Sequence, residues 1–165
     1  MKPEYVKIGE KKYKINTDFR IGIECDKIAR DKKIGDYERV LAIIYKLFGD
    51  EGLNDKGSHA KLLELALKYL SKGEEQQGGN DTEPNMDFNE DMSYIYASFM
   101  SEYQIDLEKT HLHLWTFFDL LNGLSEDCVL NRIRYIRDFD VNEIENPKER
   151  KRIIELKKSV ALKQG

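Results

Sequence analysis

Two histidines, His111 and His113, come closest in type and spacing to a metal site. Imidazole nitrogens bind zinc and related ions when several ligand side chains converge on one point. On a helix, side chains two residues apart point about 200° away from each other, so these two could not share an ion. The nearby acids Glu126 and Asp127 fall in a predicted first helical turn, where carboxylates meet the helix dipole favourably. We therefore expect no metal site.

The other residues that could carry chemistry also form no complete motif. Cys25 and Cys128 are too few and too far apart for a zinc motif, and we expect both to be free, small core residues. The segment 49–57, GDEGLNDKG, is predicted to be a loop that begins where Gly49 ends a helix. It lacks the alternating acids and the bidentate Glu of a calcium loop. The sequence contains no phosphate-binding glycine loop and no nucleophile elbow. These observations predict a protein that is not an enzyme and needs no cofactor.

Composition indicates a highly charged globular protein. The chain has 165 residues, of which 40% are hydrophobic and 35% charged. This length predicts a single domain over residues 1–165. A net charge of −4 argues against nucleic acid as a partner, because such partners usually require a basic excess. No apolar run approaches the roughly 20 residues of a spanning helix, and the N-terminus resembles no secretory signal, so we expect a cytoplasmic protein without membrane contact.

Apolar periodicity predicts a mainly α fold of about seven helices, preceded by a β-hairpin over residues 4–15. The densest apolar segment, 104–124, is predicted to be one central helix. Its inward face would carry Leu107, His111, Leu114, Phe118 and Leu121. The other helices are predicted to begin after capping residues at Thr17 or Asn16, Asp36, Ser58, Asn89, Ser125 and Asn146.

Two segments of opposite charge stand out in the second half of the chain. Residues 74–91 contain seven acids and no Lys or Arg, and their polar, turn-rich part predicts a flexible acidic linker over 74–88. Residues 146–163 contain seven bases and two acids, and they open with a capping residue, a proline and a glutamate. This pattern predicts a basic C-terminal helix. The two segments could attract each other within a subunit or between subunits.

The C-terminal helix is also the predicted partner-binding site. Its apolar residues fall on one narrow stripe that is surrounded by positive charge. The predicted contact residues are Arg150, Lys151, Arg152, Ile153, Leu156, Lys157 and Val160. A narrow stripe suits docking onto a sister subunit or onto an amphipathic client helix in a groove. The alternative is that the stripe packs on its own domain and the bases form a solvated face.

Several segments resemble a family of bacteriophage proteins. They are Ile105-Asp106-Leu107, Leu112-His113-Leu114-Trp115 and Leu120-Leu121-Asn122-Gly123-Leu124. Together they resemble the core of the gene-product-fifteen family of siphophages and prophages of Gram-positive bacteria, and the resemblance extends to residues 15–20 and 149–157. The sequence departs from the pattern at Leu114, where a second aromatic residue is expected. The acidic segment around residues 74–91 matches nothing in the pattern.

The resemblance implies a role in building phage tails. Such a protein would be a non-enzymatic tail-assembly chaperone that acts in the host cytoplasm. It would bind the tape-measure protein of a long non-contractile tail, keep its apolar helices from aggregating, and be absent from the finished virion. Other tail-assembly proteins and a homo-oligomer of the chain itself are further expected partners. The alternative is a structural virion component, such as a tail-completion or connector subunit.

Overall fold

The structure is a computed structural model and describes residues 2–72 and 84–163. Within these residues the elements are two strands and seven α-helices. They are β1 Tyr5–Ile8, β2 Lys11–Lys14, α1 Phe19–Arg30, α2 Asp36–Asn54, α3 His59–Leu70, α4 Met92–Tyr103, α5 Leu114–Asn122, α6 Val129–Asp138 and α7 Pro147–Val160. The predicted mainly α fold with an N-terminal hairpin is therefore confirmed. None of the described helices combines the length and the apolar character that crossing a membrane requires.

Backbone contacts divide the chain into two compact units. The first unit comprises Met1–Gly79 and His111–Asp119, and the second comprises Asn80–Thr110 and Leu120–Gly165. Both units are therefore built from two separate stretches of chain. The prediction of one helical domain over residues 1–165 stays a prediction.

The hairpin of the first unit lies where the alternating pattern placed it. Strands β1 and β2 pair antiparallel, and Gly9 makes the turn with a φ of +58°, which glycine adopts without strain. The ring of Tyr13 is buried and meets Phe48 of α2 edge to face, with ring centroids 6.4 Å apart. Its hydroxyl donates to the carboxylate of Asp55. The hairpin is therefore fastened to α2, which a lone two-stranded sheet needs for stability.

Aromatic stacking and close helix packing form the core of the first unit. Phe19 of α1 stacks on Phe117 of α5 with ring centroids 4.6 Å apart, and both side chains are fully buried. Gly22 of α1 lies against Leu114, and a β-carbon at this position would collide with the leucine side chain. Burial also raises the pKa of the Cys25 thiol to about 12, because the interior disfavours the thiolate.

The prediction of one helix over residues 104–124 is wrong in its first half. Gln104 adopts the left-handed conformation that ends α4, and helix α5 begins only at Leu114. The intervening chain ends in an extended segment that pairs with the start of α1. The amide of Phe19 donates to the carbonyl of Leu112 (3.0 Å), and the amide of Leu114 donates to the carbonyl of Thr17 (2.8 Å). The apolar spacing matched a helix, but the amides of Lys109 and Thr110 form a local turn on Asp106, and tertiary hydrogen bonds satisfy only the end of the segment.

Gly49 does not end α2, contrary to the sequence prediction of a loop over residues 49–57. The helix continues to Asn54 through a kink at Gly49, whose φ of 64° and ψ of −157° lie outside the helical range. Glycine is the residue that accepts such backbone angles without a steric penalty. Gly49 therefore interrupts the helix as its residue type suggests, but a second helical segment follows it directly.

The second unit is organised around the contact between α4 and α6. Its largest fully buried side chains are Ile95, Phe99, Leu107 and Leu130. The hydroxyl of Ser98 is also buried and accepts a hydrogen bond from the amide of Leu130 at 3.2 Å. A polar side chain thus fixes the register of the two helices inside an apolar core.

Several helices begin at residues other than the predicted caps. The residue before α1 is Asp18, whose carboxylate accepts from the amide of Arg20. Gly35 precedes α2, Asp91 precedes α4 and Cys128 precedes α6. Ser58 does precede α3, but its side chain makes no capping hydrogen bond. Because Asp, Asn, Ser and Thr residues are frequent near these starts, the sequence predicted where each helix begins only to within a few residues.

Candidate partner-binding surface

Helix α7 begins where its sequence signal predicts. The side chain of Asn146 accepts hydrogen bonds from the amides of Lys148 (3.0 Å) and Glu149 (3.3 Å), and Pro147 occupies the first helical position. Proline suits this position because its missing N–H would have no partner within the helix. The helix ends at Val160, three residues before the predicted end at residue 163. The described part of the predicted basic helix is therefore helical over most of its length.

No side chain of α7 is buried. The seven predicted contact residues instead divide into two groups. Arg150, Ile153, Lys157 and Val160 are half-buried, whereas Lys151, Arg152 and Leu156 are exposed. The predicted stripe is thus only partly covered by its own unit, and Leu156 keeps 37% of its surface accessible.

Polar contacts to backbone carbonyls hold α7 in place. The guanidinium of Arg150 donates to the carbonyl of Ile144 at 2.9 Å, and the ammonium of Lys157 donates to the carbonyl of Phe139 at 2.6 Å. At the end of the helix, Arg137 of α6 donates to the carbonyl of Val160 at 2.6 Å. Two of the predicted binding residues, Arg150 and Lys157, therefore have a structural role, because they attach α7 to the second unit.

The exposed side of α7 carries more bases than acids around one apolar side chain. Lys148, Lys151 and Arg152 are exposed on the N-terminal half of the helix, and Leu156 follows one turn later. Charges on such an exposed face attract and orient a partner of opposite charge, while the leucine supplies apolar contact area. This face is the described part of the predicted partner-binding site that is accessible to another molecule.

A buried ion pair that the sequence did not reveal anchors the end of α7. The Asp91 side chain is fully buried and accepts two hydrogen bonds of 2.7 Å from the guanidinium of Arg137. This contact raises the pKa of Arg137 above its ordinary value. Arg137 also donates to the carbonyl of Asn85 at 2.8 Å. One arginine thus joins the start of α4, the segment before it and the end of α7.

The predicted acidic linker over 74–88 is described only in its last residues, since 74–83 lie outside the described part of the chain. Its described end is anchored rather than free, because Asn85 also accepts a hydrogen bond from Arg134 at 3.0 Å. Slightly further on, the carboxylate of Glu90 accepts from the amide of Lys163 at 3.0 Å. Near these contacts lies a cleft of about 610 Å³ between residues 84–90 and the ends of α6 and α7. The described end of the acidic segment therefore contacts the basic C-terminus within one unit.

The two histidines that suggested metal chemistry lie before α5, not on it. His111 Nδ1 is 2.6 Å from the carboxylate of Asp18, and His113 Nε2 is 3.1 Å from the carbonyl of Pro3. Each ring therefore has its own partner in the first unit. In the part of the chain that the structure describes, no three His, Cys, Asp or Glu side chains are placed to hold a metal ion together. Cys25 and Cys128 are free and buried.

Comparison with known proteins gives the chain its family. A family model described as "Bacteriophage Gp15 protein" matches residues 2–162. The chain belongs to this bacteriophage Gp15 family. The comparisons with curated proteins and with solved structures gave no match.

Membership in the Gp15 family confirms the resemblance seen in the sequence and indicates a phage structural or assembly protein. The matched region includes the whole of α7. It also extends over both of the chain segments that make up each unit. The exposed basic face of α7 is therefore part of the Gp15 region and not an addition to it.

Proposed function

We propose that this Gp15 protein is a tail-assembly chaperone that binds the tape-measure protein during assembly of a long non-contractile phage tail. It would act in the host cytoplasm as a binding protein rather than an enzyme. The observation that supports the proposal most directly is the exposed face of α7, with its bases around Leu156, in a chain of the Gp15 family.

The contact residues fall into two roles. Lys151, Arg152 and Leu156 would touch the client directly, because they are exposed. Arg150 and Lys157 would present this face by fixing α7 to its own unit through the carbonyls of Ile144 and Phe139. Ile153 and Val160, which are half-buried, would extend the apolar contact at its edge.

The chemistry of this face defines the client. A helix that carries an apolar stripe flanked by acids would place its apolar residues on Leu156 and its carboxylates near Lys151 and Arg152. Long tape-measure helices need such cover before the tail tube encloses them, since exposed apolar surface of this kind promotes aggregation. Binding should weaken with added salt, because part of the attraction is between exposed charges.

Co-expression with the tape-measure protein of the same phage tests the proposal. Wild-type protein should retain the tape-measure protein in the soluble fraction and co-purify with it. The triple variant Lys151→Glu, Arg152→Glu, Leu156→Ala should lose most of this capture while keeping its helical circular dichroism. A matched control is Lys32→Glu with Lys33→Glu, which reverses two neighbouring exposed bases elsewhere and should leave capture unchanged.

Equal capture by the wild type and the triple variant would contradict the role of α7. Mass analysis of purified virions separates the chaperone from a structural component. A chaperone should be missing from the particles, whereas a tail-completion or connector subunit would be present at a fixed copy number.

A further inference from the structure

The outward side of α6 carries an exposed groove of about 710 Å³. Its lining residues are Glu126, Asp127, Asn131, Arg132, Tyr135 and Ile136. Tyr135 keeps 66% of its surface accessible and touches Phe139, one turn later, with ring centroids 5.7 Å apart. Large aromatic side chains exposed to this degree are common at protein interfaces.

The groove has a charged end and an apolar end. Glu126 and Asp127 lie just before α6 and are exposed, while Tyr135 and Ile136 lie in its second half. Arg132 is the only base in the lining, and it approaches Asp127 at 4.0 Å with both side chains largely in solvent. A pair this exposed is weak, so the acids remain able to attract another cation.

Helix α7 carries the complementary pattern. Lys148, Arg152 and Leu156 follow each other at intervals of four residues, so they form one line on the outward side, and all three are exposed. At 1.5 Å per residue, Lys148 and Leu156 lie about 12 Å apart along the helix.

We propose that the α6 groove is a self-association site that receives α7 of a second copy of this chain. Leu156 of one copy would lie on Tyr135 and Ile136 of the other, with Lys148 and Arg152 beside Glu126 and Asp127. Complementary charge selects this occupant over an acidic or a purely apolar partner. Because each copy carries both surfaces, two reciprocal contacts form in a symmetric pair.

This inference stands apart from the proposed function, since it requires no tail protein. The two proposals meet at α7, because a client helix and a second copy would compete for Leu156 and Arg152. Self-association would thus cover the binding helix until a client arrives.

Charge-reversal complementation on the full-length chain tests the pairing. Variant A carries Glu126→Lys and Asp127→Lys, and variant B carries Lys148→Glu and Arg152→Glu. Sedimentation equilibrium at low salt should give a mass above the 19.4 kDa of one chain for the wild type. Each variant alone should dissociate at least about tenfold more readily, because like charges would then face each other. An equal mixture of A and B should restore association, since every contact again joins opposite charges.

The control Lys32→Glu with Lys33→Glu should associate like the wild type, and circular dichroism should show native helix content for all variants. A wild-type chain that remains monomeric up to its highest soluble concentration would overturn the proposal. Variants that associate as strongly as the wild type, or a mixture that fails to restore association, would overturn it as well. A wild-type chain that associates with itself as expected but does not capture the tape-measure protein would count against the proposed function alone.

Discussion

Helices α5 and α7 show two different ways of fixing a helix in this protein. Helix α5 has 9 residues and buries Leu114, Phe117 and Leu121 almost completely. Helix α7 has 14 residues and buries none. The shorter helix is therefore held by apolar packing, which accounts for most folding stability. The longer one is held by hydrogen bonds from charged side chains to carbonyl groups.

This difference fits the partner-binding role that we propose for α7. A helix that buries no side chain can be uncovered or repositioned without opening an apolar core. Its remaining apolar surface, centred on Leu156, is also free to meet another molecule. Helix α5 has no comparable freedom, because its inward residues are part of the core. Substitutions in the two helices can therefore test the apolar packing of α5 and the polar anchoring of α7 separately.

The largest loss of stability should come from α5. Phe117→Ala removes a fully buried ring that stacks on Phe19, and it should lower the free energy of unfolding by about 3–5 kcal/mol. Tyr37→Ala is the matched control, because Tyr37 is 67% exposed and its loss should change stability by less than about 0.5 kcal/mol. Urea unfolding followed by circular dichroism measures both. Similar losses for the two variants would show that Phe117 is not a core residue.

The buried ion pair should have the next largest effect. Asp91→Ala leaves the Arg137 guanidinium, which is about 10% exposed, without its carboxylate, so we expect a loss of about 3 kcal/mol. The double variant Asp91→Leu with Arg137→Met removes both charges and should cost clearly less. Chemical denaturation compares the two proteins. A double variant that is less stable than Asp91→Ala would contradict a dominant role for the unpaired charge.

Periodicity and capping predicted which helices exist. The hairpin over 4–15 and the start of α7 after Asn146 could both be predicted, because each rests on residues adjacent in sequence. The structure of residues 104–113 could not be predicted in this way. Their apolar spacing fits a helix, but the amides of Lys109 and Thr110 donate to Asp106 in a local turn, and the carbonyl of Leu112 accepts from Phe19, far away along the chain.

The proposed binding surface could be predicted from the sequence only in outline. The sequence identified α7 as basic and narrow in its apolar stripe, but it did not distinguish Arg150 and Lys157, which anchor the helix, from Lys151 and Arg152, which are exposed. That distinction depends on carbonyl groups at Ile144 and Phe139. Asp91 was counted only as one of the seven acids of residues 74–91, because its partner, Arg137, lies 46 residues away.

A pH effect should distinguish the buried core from the surface. The folded state raises the pKa of Cys25 from 9.0 to about 12, so the unfolded chain loses this proton first. The stabilisation is therefore complete below pH 9 and is lost as the pH rises from 9 towards 12. Between pH 8 and pH 10 the wild type should lose about 1 kcal/mol more stability than Cys25→Ala. Equal slopes for the two proteins would mean that the thiol is not shielded.

The smallest differences should lie within α7 itself. Lys157→Ala removes the hydrogen bond to the carbonyl of Phe139 and should cost about 1 kcal/mol. Lys151→Ala, on the exposed face of the same helix, should change stability by less than about 0.5 kcal/mol. Thermal unfolding in dilute solution compares these two lysines. If Lys151→Ala were the more destabilising variant, the assignment of anchoring and contact residues would be reversed.

Native-state hydrogen exchange of the full-length chain, in dilute solution, measures the difference between α5 and α7 most directly. The amides of Phe117 and Leu121 in α5 should exchange only through global unfolding, because their side chains belong to the core. The amides of Ile154 and Lys157 in α7 should exchange through local opening, with a free energy at least about 2 kcal/mol below the global value. Exchange of α7 at the same free energy as α5 would contradict the account, because α7 would then be an inseparable part of the core.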